Sequence, residues 1–185
     1  MYRFVRTVAL NCALAVAAAI PAAAQAPNVV ADLVADVSEV EKKLVGLANA
    51  IPADKWEWRP GAGVRSVGEV FKHVAADNYL IPAGLGYAAD ASTGIKGDDY
   101  KTAVAYEGRK MDKAQTIAEL EKSIAHLKKS MQATTPAKLG DPVKLFGMPF
   151  TMQRAWILGA THLHEHLGQM IAYARSNNVK PPWSQ

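Results

Sequence analysis

Apolar residues recur at spacings of three and four along most of this chain, which is the pattern of amphipathic helices. The first such segment covers residues 29–50 and is stopped by Ile51 and Pro52. Its regularly spaced apolar positions are Leu33, Val37, Val40, Leu44 and Leu47. The pattern predicts a first helix that buries one face.

A second helix is predicted to begin after a capping box, in which Ser66 is followed three residues later by Glu69. Its inward face comprises Val67, Val70, Phe71 and Val74. The helix is expected to end at about Leu80 or Leu85, because proline and glycine follow. The preceding residues 55–63 are rich in aromatic and turn residues and are predicted to form a connector.

Residues 87–110 show weak periodicity and are predicted to form a long connection, a feature that is often functional. Asp112 and Gln115 then offer a second capping start. The apolar seam of this third helix is Ile117, Leu120, Ile124, Leu127 and Met131. Pro136 marks a point that the helix cannot pass.

The last helix is predicted to start at Thr151, after a short apolar turn at residues 145–150, and to stop near Asn177. No convincing run of alternating apolar and polar residues competes with these four helices. The periodicity therefore predicts an all-α fold.

The N-terminus has the pattern of a secretory signal peptide. Arg3 and Arg6 precede an apolar run at residues 8–20, and small residues follow. We expect residues 1–24 to be removed by cleavage after Ala24, with Ala26 as the alternative, which leaves a folded domain at 27–185. The mature protein would be periplasmic or secreted, and the apolar run is too short for a stable membrane span.

Composition excludes several classes of function. Loss of Arg3 and Arg6 would lower the formal net charge from +4 to +2. The sequence contains no stripe of basic residues interleaved with aromatic residues, so it does not predict nucleic-acid binding. Cys12, the only cysteine, would leave with the signal peptide, which excludes disulfides, thiolate ligands and a cysteine nucleophile from the mature chain.

Three of the five histidines lie within five residues of the last predicted helix, at positions 162, 164 and 166. His162 and His166 are one helical turn apart and share a face, whereas His164 is rotated by about 200° from His162. The shared face continues the apolar stripe of the helix. Two imidazoles at such positions need partners.

A metal ion is one such partner, since histidines at i and i+4 form a clamp that needs at least one further ligand. His73 is the candidate, because it lies on the inward stripe of the second helix. Asp77 shares that stripe and is a candidate proton acceptor. Gln169 follows His166 by three residues and is a candidate hydrogen-bond partner for an imidazole.

Each of these residues also has a purely structural interpretation. A histidine on an apolar face is often a core residue satisfied by hydrogen bonds. His126 and His164 are expected to be solvated, and the Trp56 and Trp58 pair is expected to pack over one end of the bundle.

The motifs together resemble the DinB/YfiT-like superfamily of proposed metalloenzymes. The resemblance rests on residues 58–60 (Trp-Arg-Pro), residues 65–69 followed by His73, the distant His162 and His166 with Gly168 and Gln169, and the terminal prolines 181 and 182. It covers nearly the whole mature chain. It implies an up-down-down-up four-helix bundle with a long crossover between helices 2 and 3, frequent dimers, and a divalent metal held by His73, His162 and His166.

The resemblance does not imply one reaction. We expect an exported metalloenzyme whose bound cation activates water or an unidentified small-molecule substrate by Lewis-acid chemistry. The first alternative is a noncatalytic bundle that binds metal or a small ligand. The second is a thiol-dependent S-transferase like some characterised relatives, which the export signal disfavours. Zn and Ni are the favoured metals, and Fe, Mn or Co also suit nitrogen ligands.

Overall fold

A computed structural model describes residues 28–184; the predicted signal peptide, residues 1–24 with Cys12, lies outside the described residues. Five α-helices, three single-turn 3-10 helices and one β-hairpin make up the regular structure of residues 28–184. The α-helices are α1 (Val29–Ala50), α2 (Val67–Gly84), α3 (Tyr100–Glu107), α4 (Lys113–Gln132) and α5 (Met152–Ser176). The strands are β1 (Pro142–Leu145) and β2 (Met148–Thr151).

Local capping explains where the long helices begin. Both predicted capping boxes form, so that the side chain of Ser66 accepts from the backbone of Glu69 at α2, and Asp112 is paired with Gln115 in the same way at α4. Thr151 caps α5 by accepting from the backbone N–H of Arg154. The predicted helix starts are therefore confirmed.

The four long helices form the predicted four-helix bundle. α1 packs mainly against α4 and α5, and α2 packs mainly against the same two helices. The heaviest packing is between α2 and α4, the two long helices that the crossover joins, whereas α1 makes few contacts with α2 and α4 makes few with α5. This arrangement is expected for the up-down-down-up order, in which α2 and α4 run in the same direction and need a long connection. Fully buried side chains from the bundle include Leu44, Phe71, Leu120, Met131 and Trp156.

The crossover contains a helix that the periodicity did not predict. α3 has eight residues, of which only Ala103 and Tyr106 are buried, so its apolar pattern is too sparse to be read from the sequence. It packs against α2. Its last residue, Glu107, is thereby brought to the side of α2 that carries His73.

The prediction of a plain apolar turn before α5 was wrong, because residues 142–151 form an antiparallel hairpin. Its two-residue turn is Phe146 and Gly147, both with positive φ. Only Leu145 of the two strands is buried, so the alternation is too short to stand out.

The expectation that His126 is solvated was also wrong. His126 is half-buried, its Nε2 is buried without a hydrogen-bond partner, and burial lowers its pKa. Among residues 28–184, no helix is long and apolar enough to cross a membrane.

Candidate metal centre

Three imidazoles from two helices converge at one point inside the bundle. The Nε2 of His162 lies 3.3 Å from the Nε2 of His73 and 3.0 Å from the Nε2 of His166. One ligand atom from each of the three residues lies within 4.8 Å of the other two. We call His73, His162 and His166 the imidazole cluster.

The outer nitrogen of His73 is held by a carboxylate. Its Nδ1 lies 2.8 Å from the Oε1 of Glu107, and the other oxygen of Glu107 pairs with the guanidinium of Arg65 at 3.0 Å. A carboxylate can only accept, so the Nδ1 of His73 carries the proton. In the neutral imidazole the Nε2 is then an unprotonated lone pair.

The outer nitrogen of His166 is fixed by a longer relay. Tyr173 donates its hydroxyl to the backbone carbonyl of Arg65, and Gln169 donates its amide N–H to the Tyr173 hydroxyl oxygen. The carbonyl oxygen of Gln169 therefore faces His166, at 2.8 Å from Nδ1. His166 must donate from Nδ1, which again leaves Nε2 as a lone pair.

These two tautomers leave too few protons at the centre of the imidazole cluster. The Nε2 of His162 faces the lone pairs of His73 and His166, and it also lies 3.1 Å from the Oδ2 of Asp77. One N–H on His162 can satisfy only one of these three acceptors. In addition, the Oδ1 of Asp77 is buried without a hydrogen-bond partner. The centre of the imidazole cluster therefore has more lone-pair acceptors than N–H donors, and a bound cation would satisfy them.

The spacing of the nitrogens fits the same conclusion. Zinc binds imidazole nitrogen at about 2.0–2.1 Å, so two nitrogens on one ion stand about 2.9–3.4 Å apart for bond angles between about 90° and 110°. The 3.3 Å and 3.0 Å separations within the imidazole cluster lie in that range. His162 is therefore spaced from each of the other two histidines as two ligands of one ion are, and all three ligand atoms lie within 4.8 Å of one another.

Burial keeps His166 neutral. Burial, with the neighbouring His162 acting in the same direction, lowers the pKa of His166 to about 4. His73 and His166 are each 8% exposed. A neutral imidazole is the form that binds a metal, so His166 is available as a ligand at neutral pH without losing a proton first.

Asp77 connects the imidazole cluster to the surface. Its side chain lies one turn beyond His73 on α2 and is 7% exposed. It also lines a cleft of about 730 Å³ that is bounded by the segment before α3 on one side and by the hairpin on the other. A small molecule in this cleft would reach Asp77.

The connector before α2 closes the other side of the site. Trp58 packs edge-to-face against Tyr173, with ring centroids 5.2 Å apart, and its carbonyl accepts from the backbone N–H of Val67. Trp56 is buried and stacks on Phe71 at 5.4 Å. Both tryptophans therefore pack, as expected, and Trp58 supports the relay that ends at His166.

The structure brings together all five residues singled out in the sequence, namely His73, Asp77, His162, His166 and Gln169. His164 points away, is exposed, and pairs with Asp36 at 2.8 Å. Sequence reasoning missed Glu107, Arg65 and Tyr173 as supports of the imidazole cluster. Arg65 lies within the motif that carried the family resemblance, but no pattern in the sequence marks Glu107.

The fold and the site together define this protein as a helical bundle with three histidines that converge in its interior. The family model for the DinB superfamily matches residues 37–170, so the chain belongs to this superfamily. The family resemblance of the motifs is thereby confirmed. No curated protein matches the chain.

Solved structures share the fold at low sequence identity. A DinB-like protein from Bacillus cereus ATCC 10987 is 15% identical with a TM-score of 0.67, over 83% of this chain and 95% of that chain. The DinB-like protein YjoA from Bacillus subtilis is 17% identical with a TM-score of 0.61, over 83% and 97%. YfiT from Bacillus subtilis, described as a probable metal-dependent hydrolase with an unusual four-helix bundle topology, is 16% identical with a TM-score of 0.63, over 82% and 89%.

Proposed function

We propose that this chain is a metal-dependent hydrolase, with His73, His162 and His166 as the metal ligands and Asp77 as the proton acceptor. The observation that carries the proposal is the convergence of the three Nε2 atoms beside a buried carboxylate that an open cleft reaches. The description of YfiT as a probable metal-dependent hydrolase supports it by analogy of fold. Zinc or nickel is the proposed metal, since nitrogen ligands suit both.

When bound, a divalent cation supplies Lewis-acid activation of a water molecule or of a substrate oxygen. The protein contributes the arrangement around it. Glu107 and Gln169 hold the Nδ1 protons of His73 and His166, so that both Nε2 lone pairs face inward. Outer partners of this kind orient the rings before any ligand arrives, which lowers the cost of assembling the site.

Asp77 is placed to move the proton that hydrolysis releases. Its side chain lines the cleft, and its Oδ1 has no hydrogen-bond partner, so the carboxylate can accept a proton from a water molecule that enters by the cleft. The hydroxide equivalent adds to the substrate carbonyl or phosphoryl centre, and the proton held on Asp77 passes to the leaving group. Water is thus added across one bond with no other reactant.

Metal analysis of variants tests the ligand assignment. Protein purified without an affinity tag should contain about one divalent metal per chain, and His73→Ala and His166→Ala should each lose most of it. His164→Ala is the matched control, because this histidine lies on α5 but faces Asp36 at the surface. Full metal content in His73→Ala and His166→Ala would overturn the assigned ligands.

A noncatalytic metal-binding bundle is the second candidate, and the position of Asp77 favours it. The Oδ2 of Asp77 is 3.1 Å from the Nε2 of His162, close enough for the carboxylate to be a fourth ligand. Asp77→Asn separates the two functions in a screen of ester, amide and phosphoester substrates. Retained metal with lost hydrolysis supports the hydrolase. Lost metal, with no hydrolysis by the wild type, supports the closed binding site.

A further inference from the structure

The cleft beside Asp77 has features of a substrate-binding site, and the residues that line it indicate which kind of molecule it would bind. Its floor is the face of α2 that carries Asp77 and Leu80. This face continues from His73, since residues 73, 77 and 80 are spaced by four and three. The cleft therefore runs along α2, beginning one turn from the imidazole cluster.

Both walls of the cleft are anchored on the C-terminal end of α2 by glycine contacts. A Cβ on Gly97 would lie 2.2 Å from the backbone carbon of Ala83, and a Cβ on Gly84 would lie 2.7 Å from the side chain of Leu145. At Gly97 only glycine permits the approach, because the contact is with backbone, and at Gly84 the absence of a side chain lets Leu145 pack closely on the helix. The segment before α3 and the hairpin are thus fixed against the same helix end, which defines the width of the cleft.

Phe146 occupies a position that neither burial nor turn geometry explains. It is 43% exposed at the tip of the hairpin and has a φ of 53°. The first residue of a two-residue turn with positive φ is usually asparagine, aspartate or glycine, and a bulky side chain there is unfavourable. An aromatic residue held in an unfavourable conformation at the rim of a cleft is best explained by a ligand that it contacts.

The walls on either side of the α2 floor combine one basic residue, one acidic residue and apolar surface. Lys144 is the only basic residue among those that line the cleft, and it is exposed on β1. Tyr100, half-exposed on the opposite wall, offers a second aromatic ring. Asp98 lines the same wall as Tyr100, and its negative charge would repel an anionic group bound near that wall.

We propose that the cleft binds small organic anions with an apolar body, packed by Phe146 and Tyr100 and with the anionic group paired to Lys144. The inference rests on the proposed function, for which such a molecule would be the substrate. Its hydrolysable bond would lie toward Asp77. The stretch of α2 from Asp77 to Gly84, where the walls are anchored, rises by about 10 Å, which limits the length of the molecule.

A matched pair of nonreactive probes tests the anion preference. The probes are 5-phenylpentanoate and its neutral amide, titrated calorimetrically into protein of measured metal content. The wild type should bind the acid about threefold to fivefold more tightly, as expected for one exposed ion pair. Lys144→Gln should bring the ratio to about one, whereas Asp98→Asn should raise it. Lys138→Gln, an exposed lysine outside the cleft, is the control and should change nothing.

Phe146→Asn tests the aromatic wall separately. Asparagine suits the positive φ, so this variant should be at least as stable as the wild type, yet it should bind both probes about fivefold to tenfold more weakly. Met148→Thr, an exposed hairpin position that does not line the cleft, should retain wild-type binding.

The failure of this inference can be distinguished from the failure of the proposed function. A protein without metal whose acid preference depends on Lys144 would refute the hydrolase but support the cleft assignment. Equal affinity for acid and amide in the wild type, an unchanged preference in Lys144→Gln, or undiminished binding in Phe146→Asn would overturn the cleft assignment. A dimer that dissociates in Phe146→Asn would also overturn it, by assigning the hairpin tip to self-association.

Discussion

The carboxylate of Glu107 lies 2.8 Å from the Nδ1 of His73, although the two residues are 34 positions apart in the chain. The same carboxylate pairs with Arg65, whose backbone carbonyl accepts from Tyr173 in the relay to His166. Arg65 therefore joins the supports of two histidines that lie on different helices. The orientation of the imidazole cluster depends on contacts that are remote in sequence.

We expect Glu107→Gln to weaken metal binding by about tenfold, because the substitution removes the charge that holds the proton on His73 Nδ1. Competition with a chromophoric zinc chelator would measure the change. Glu121→Gln, an exposed position on α4, serves as the control. An affinity equal to that of the wild type would mean that Glu107 has no role in orienting His73.

Replacing Gly97 by alanine should destabilise the protein by about 1–3 kcal/mol, since the added methyl group would overlap the backbone of α2 near Ala83. The free energy of unfolding in urea is the measurement. Gly140→Ala is the matched control, because a Cβ there meets no atom within 4 Å and its φ is not positive. Equal stability of the two variants would show that the segment before α3 can move away from α2 at little cost.

The metal-free protein should lose stability as the pH falls from about 6.5 to about 4. Burial lowers the pKa of folded His166 from 6.5 to about 4, so within this window the unfolded chain binds a proton that the folded chain does not. Above about pH 6.5, His166 therefore does not affect the free energy of unfolding. As the pH falls from about 6.5 to about 4, the free energy of unfolding decreases by at most about 1.4 kcal/mol per pH unit. Urea unfolding midpoints would be measured across this pH range in the presence of a chelator. The midpoint should depend less steeply on pH in His166→Asn than in the wild type, and the same dependence in both would contradict the lowered pKa of His166.

We expect the full chain expressed in a bacterial host to be exported and to begin at Gln25 after processing. Intact mass and N-terminal sequencing of the periplasmic or secreted fraction would identify the cleavage site. Val16→Asp should leave an unprocessed chain in the cytoplasm, because a charge interrupts the apolar run, whereas Val16→Leu should be exported normally. Export of Val16→Asp would count against a signal peptide.

The fold was predictable where local chemistry decides it. The capping boxes at Ser66 and Asp112 form between residues three positions apart, so they mark helix starts whatever the helix packs against. The hairpin and α3 were not predictable in this way. Each buries very few residues, and each is held mainly by contacts with α2 or α5 rather than by its own periodicity.

The candidate site shows the same division between local and long-range information. The sequence alone determined that His162 and His166 share a face of one helix, and that His73 and Asp77 share a face of another, because helical spacing is a local property. Only the tertiary structure decided that the two faces meet, that Glu107 and Arg65 complete the support, and that a cleft reaches Asp77. Those relationships depend on which helices pack together and how a crossover lies across them, and packing partners far apart in the chain leave no periodic signal in it.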